Sequence, residues 1–159
     1  MTFVSNGVTT GVTNDRTSAT SRLHIALIAH NRFPIRQPFA GGLEAHVWHL
    51  ARALADEGHR VTLFADADSD LDSPDPGLTI TPLPRTAAAA RPFPLPGAVK
   101  ESDHRAFLDL MRHLVDQSAH DVDVIHNHCL HHVPIHLAPR LRIPMLTTFH
   151  TPQLPWLES

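Results

Sequence analysis

Histidine is the reactive side chain this sequence holds in excess, with 14 among 159 residues and five of those between His126 and His136. Near neutral pH an imidazole donates or accepts a hydrogen bond, carries a proton, or ligates a metal. His126 and His128 stand two apart at the polar end of Asp121-Val122-Asp123-Val124-Ile125, a spacing that puts both on one face of a strand with Asn127 on the other. His150 ends the later run Met145-Leu146-Thr147-Thr148-Phe149. A different chemistry resides in the backbone at Gly41-Gly42. Lacking Cβ atoms, the pair lets a ligand approach the main chain and adopts φ > 0 without strain. Placed before a helix, its free N–H groups and the helix dipole favour an anion. A tight loop that needs glycine accounts for the pair equally well, since it matches neither the dinucleotide fingerprint nor the P-loop.

Three further residues belong with the glycines. Arg32 and Arg36, in the loop from His30 to Ala40, have the forked donors that suit a phosphate, although solvated surface arginines fit the same pattern. Glu44 falls in the first turn of the expected helix, where a carboxylate suits the dipole whatever else it does. Gly41, Gly42, Glu44, Arg32 and Arg36 together form the expected substrate- and phosphate-facing group.

Metal chemistry has two candidates. Asp66-Ala67-Asp68 has the D-x-D form, but it sits among Asp70, Asp72 and Asp75 in an acidic loop that solvation explains. His126, His128, Cys129, His131, His132 and His136 offer imidazole and thiolate suited to zinc. No carboxylate or second cysteine completes a known spacing there. No metal ligands are assigned on this reading, and no metal is expected to be required; a His/Cys zinc-binding module stays open as an alternative.

The elements that must carry these residues follow from pattern. Leu23 to Ala29 is almost unbroken apolar sequence, as a parallel strand covered on both faces is. Leu43, Val47, Leu50 and Leu54 make one helical stripe, so a helix is expected from Leu43 to Glu57, capped by Gly58. Val61 to Ala65 is a second buried strand, which completes a βαβ unit with a right-handed crossover. From Asp66 to Gly97 the chain is acidic and Pro-rich, with Leu78-Thr79-Ile80 as one short strand within it. Ser102 reads as the N-cap of a second helix whose inner face is Phe107, Leu110, Met111, Leu114 and Ser118. A strand to His128, a short helix from Leu130 to Leu141 around Pro134 and Pro139, and a strand from Ile143 to Thr151 follow. The fold class is therefore α/β, with histidines at the carboxyl ends of two strands, the edge where open parallel sheets hold ligands.

Composition sets the outer limits. The length suits one domain, with residues 1–22 as a flexible extension and 23–159 as the folded unit. A net charge of −3 gives no electrostatic reason to expect nucleic acid. The single cysteine, Cys129, excludes an internal disulfide framework and fits a reducing, cytoplasmic setting. A peripheral place at the membrane face is the second setting.

Three blocks in order carry a family likeness: Gly41-Gly42-Leu43-Glu44 with Leu50-Ala51, Leu54-Ala55 and Gly58-His59-x-Val61-Thr62; Asp123-Val124-Ile125-His126-x-His128; and Thr147-Thr148-Phe149-His150-Thr151. Together they resemble the amino-terminal half of the retaining glycosyltransferases of family 4. The resemblance implies a Rossmann-like parallel sheet with helices on both faces, the acceptor-side half of a GT-B enzyme. It also implies transfer of a sugar from a nucleotide-sugar donor to a small-molecule, glycan or lipid acceptor with retention of configuration, and no cofactor. On the same resemblance the glycine loop reaches the donor diphosphate, His128 matches the family histidine near the sugar and acceptor, and His150 is the second catalytic candidate. The family's donor-binding half carries a pair of glutamates eight positions apart, a spacing absent here. A missing donor-binding domain is thus expected as a partner, and the chain alone is expected to be inactive. A non-catalytic α/β binding domain is the remaining alternative.

Overall fold

The computed structural model describes residues 21–85, 96–117, 121–129 and 131–150. The extension expected over 1–22 lies outside these residues apart from Ser21 and Arg22, as do Ser118, Leu130 and Thr151. Five strands form one parallel sheet: β1 (His24–Ile28), β2 (Arg60–Ala65), β3 (Leu78–Pro82), β4 (Val124–Asn127) and β5 (Met145–Thr147), in spatial order β3-β2-β1-β4-β5. The helices are α1 (Gly42–Asp56), α2 (Pro96–Gln117) and α3 (His132–Leu137), the last running into a 3₁₀ turn at Ala138–Arg140.

Alternation along β1 divides the core. Ile25, Leu27 and Ala29 face α1 and pack with Val47, Trp48, Ala51, Val61 and Leu63. Ala26 and Ile28 face the other way, onto Phe107, Leu110, Met111, Ile125 and Val133 of α2, β4 and α3. Both faces of the sheet are thus covered, which is why its central strands read as continuous apolar runs rather than alternating ones. The parallel register sets Leu27 beside Leu63 on one side and beside His126 on the other. His126 therefore lies on the α1 face.

Helix α1 ends as its sequence indicates. Gly58 takes φ 87°, its N–H donates to Ala55 O at 2.8 Å and His59 N–H donates to Leu54 O at 3.0 Å, closing the left-handed cap. The other boundaries differ from the sequence reading in three places. Helix α2 starts at Pro96, so Ser102 is a buried residue inside the helix and not its N-cap. A proline suits a first helical position, where its missing N–H has no partner to lose. Strand β5 is only three residues long and lies at the sheet edge, where short strands are common, with Pro144 just before its first residue. His150 therefore stands beyond the strand. The helix expected from Leu130 splits into α3 and the 3₁₀ turn, the second of which carries Pro139 near its start.

Candidate functional site

Parallel strands put all their carboxyl ends on one edge, and the segments leaving β1, β4 and β5 meet there with the amino end of α1. Gly41 is the N-cap of α1 and Gly42 its first helical residue; both are exposed. Gly41 has φ −168° and ψ −172°, extended backbone open to any residue, so positive φ is not what calls for glycine here. Close approach is. A Cβ on Gly41 would lie 2.9 Å from Glu44 Oε2, whereas one on Gly42 would meet nothing within 4 Å.

Glu44 is buried and fixed from its other oxygen. His30, just past β1, brings Nε2 to 2.5 Å from Glu44 Oε1. The His30 tautomer follows from its second nitrogen: Nδ1 accepts the Arg32 backbone N–H at 3.1 Å, so the proton is on Nε2 and donates to the carboxylate. Burial lowers the His30 pKa, against the opposing pull of Glu44. A neutral imidazole donating to the Glu44 carboxylate is the consistent assignment. The carboxylate so held is what a side chain at Gly41 would have to displace.

The second half of the site is built on β4. His128 is fully buried, its N–H donating to Ile28 O at 2.8 Å. Its Nδ1 lies 3.0 Å from His150 Nε2, and its own Nε2 has no hydrogen-bond partner among the described residues. His126 shares the face as the strand alternation requires, its ring 4.0 Å from that of His128, and its Nε2 pairs with Thr148 Oγ1 at 2.8 Å. Asn127 points to the opposite side, where Oδ1 accepts the Cys129 N–H at 3.1 Å. His46, one turn into α1 from Gly42, closes the group, with its ring 5.4 Å from His128 and 5.1 Å from His150. Burial, reinforced by the charges that His126, His150 and His46 would bring, pushes the His128 imidazole down to about 3. His150 is lowered as well, by burial and then by His46, with Glu44 opposing. The His128 ring is therefore neutral at physiological pH, a hydrogen-bonding group and not a cation.

Of the residues singled out by sequence, the fold brings Gly41, Gly42, Glu44, His128 and His150 to one edge, linked through His30 and His46. Arg32 and Arg36 are not drawn into that group. Arg36 is exposed, and Arg32 turns toward Asp103 of α2 at 3.8 Å. Arg32 lines a cleft of about 940 Å³ with Asp103, His104, Phe107 and His131. His30 and His46 were not among the expected site residues. Yet His46 lies at i+3 from Leu43 and i−4 from Leu50, on the border of the apolar stripe, which is the signal that could have found it.

The metal expectations need correction. One ring nitrogen from each of His46, His128 and His150 lies within 4.8 Å of the others, a set able to hold a metal ion. The statement that no metal is required does not survive that finding. The six-residue zinc set drawn from the sequence fails for a different reason, since its members split between the two faces of the sheet. His131 stacks on Phe107 at 4.9 Å and on His132 at 4.5 Å, on the α2 side. Cys129 is buried among apolar side chains on that side too, and burial pushes its thiol up to about 12. The acidic loop is held by its own turns. Asp66 Oδ1 accepts the Asp68 N–H at 3.0 Å while its carboxylate pairs with Arg85, and Asp70 and Asp75 accept from Asp72 and Gly77 in the same manner.

None of the described helices is long and apolar enough to cross a membrane. No curated protein matches the chain. A family model described as Glycosyltransferase Family 4 matches residues 40–158, from the residue before the glycine pair to the end of the last histidine segment and beyond.

Proposed function

The chain belongs to glycosyltransferase family 4, and from that premise we propose that it is the acceptor-side half of an enzyme moving a sugar from a nucleotide-sugar donor to an acceptor with retention of configuration. The observation that carries the reading is the convergence of an exposed helix amino terminus and a buried, neutral imidazole on one sheet edge. In such a transfer the sugar leaves a nucleoside diphosphate, so negative charge grows on phosphate oxygens. Free N–H groups at Gly41 and Gly42, with the dipole of α1 behind them, stabilise that charge. Glu44 acts as a positioning residue, its carboxylate held beside Gly41 by His30.

His128 and His150 take the sugar side. Neutral imidazoles suit sugar hydroxyls, which both donate and accept, and His128 Nε2 is a buried ring nitrogen without a partner among the described residues. No protein nucleophile is called for, because the diphosphate is itself a good leaving group. Arg32 faces the α2 cleft beside Asp103 and Arg36 is exposed, so neither is assigned to the diphosphate. The nucleotide is held by a second, donor-binding half, and the reaction is placed in the cytoplasm, consistent with a single buried thiol.

The test is to supply the protein, with its donor-binding half, with nucleotide sugars and a panel of small-molecule, glycan and lipid acceptors. Release of nucleoside diphosphate is followed together with the anomeric configuration of the product by NMR. The reading expects diphosphate release and a product of the donor's own configuration. Inversion would remove retention from the account, and no release from any nucleotide sugar would overturn the transferase reading.

A further inference from the structure

Three histidines far apart in sequence converge from α1, from the end of β4 and from the segment after β5. We infer that His46, His128 and His150 form a zinc site, with three imidazole nitrogens as ligands and a fourth position left to water or an anionic oxygen. This goes beyond the transferase reading, shares two residues with it, and is measured without turnover.

Geometry is the first support. The three nitrogens lie within 4.8 Å of one another, and His128 Nδ1 and His150 Nε2 are already 3.0 Å apart. Zinc–nitrogen bonds of ~2.0–2.1 Å in a tetrahedral set place ligand nitrogens roughly 3.3 Å apart, so only a small inward turn of the exposed His46 ring completes the triangle. The second support is the fully buried His128 ring, enclosed with its Nδ1 turned toward His150. Coordination through Nδ1 places the ring proton on Nε2, and the contact with His150 then needs no shared proton.

The backbone that presents the ligands is held independently of any ion. His128 N–H donates to Ile28 O at 2.8 Å, Thr148 N–H donates to Asn127 O at 2.9 Å, and the Thr148 hydroxyl meets His126 Nε2. His126 is thereby engaged elsewhere and is left out of the ligand set. Cys129 faces the other side of the sheet, so the set is all nitrogen. Three imidazoles and an open position are a zinc pattern, and imidazole without thiolate or carboxylate disfavours calcium and magnesium. Among the described residues no other three His, Cys, Asp or Glu side chains converge in this way, the stacked His104, His131 and His132 included.

The experiment is zinc titration of the metal-free full chain, read by elemental analysis after dialysis and by thermal unfolding. One equivalent of zinc should be retained, and Tm should rise with zinc concentration because the ion binds the folded chain across long loops. His46→Ala alters an exposed ring outside the core, so its fold persists and is checked by circular dichroism. That variant should bind zinc at least about tenfold more weakly, since even outer partners of zinc ligands are worth that much. His132→Ala should retain the full equivalent. An unchanged equivalent in His46→Ala, or its loss in His132→Ala instead, would overturn the site. Failure of zinc binding with transfer intact would remove the metal alone; zinc binding without transfer would leave the metal standing and the transferase reading refuted.

Discussion

Gly41 and Gly42 are adjacent, yet different forces act on them. At Gly41 the neighbouring Glu44 carboxylate, fixed by His30, occupies the space of a side chain; at Gly42 that space is empty. Gly41→Ala should therefore destabilise the chain by about 1–3 kcal/mol, as overpacking does. Gly42→Ala should be neutral or gain up to about 1 kcal/mol, as glycine gives way to a better helix former. Urea unfolding of the two variants checks this, and in a Glu44→Ala background the cost at Gly41 should largely disappear. A second prediction concerns His128. Its folded-state pKa of about 3 lies below the ordinary 6.5, so on acidification the unfolded chain takes up a proton that the folded chain refuses. Stability contributed by the neutral ring is complete above 6.5 and is lost as pH falls from there toward about 3. Tm should drop over that window, and His128→Gln should show a shallower drop. An identical slope in the variant would contradict the assignment of a neutral buried ring. At this scale the sequence displayed the glycines and His128 but hid His46, because a histidine between apolar helix positions reads as a solvated residue until its strand partners are placed opposite it.

Elements were the most legible level, and the reason is burial. Strands β1 and β2 are covered on both faces and carry mostly apolar runs, and the Gly58 cap ends α1 where the pattern puts it. The start of α2 and the shortness of β5 were less visible. Proline both opens a helix and stops a strand, and only the tertiary setting decides which. The same logic predicts how mutations will differ along the sheet. Leu27, fully buried in the central strand, should cost about 2–5 kcal/mol when changed to Ala. Leu146, 57% exposed on edge strand β5, should change stability by no more than about 0.5 kcal/mol when changed to Ser. Chemical denaturation of both distinguishes a sheet organised around β1 from one in which the edge carries equal weight.

For the molecule as a whole, parallel topology does the work of assembly. Strand order β3-β2-β1-β4-β5 sets the end of β4 beside that of β1, and the β1–α1 connection brings the glycine turn to the same edge. Residues as distant as Gly42, His128 and His150 thereby stand at one edge of the sheet, which composition and periodicity could locate only as separate segments. What sequence could not supply was the partition of the histidines between the sheet's two faces, for that depends on register. The central claim is that the helix terminus and the buried imidazole act together on a nucleotide sugar. Its most direct test is kcat/KM for sugar transfer by the protein with its donor-binding half, measured for Gly42→Val and His128→Ala beside their unfolding curves. Losses of at least about a hundredfold are predicted for His128→Ala, with a clear loss for Gly42→Val while its Tm stays close to that of the parent. Turnover unchanged in both folded variants would contradict the account.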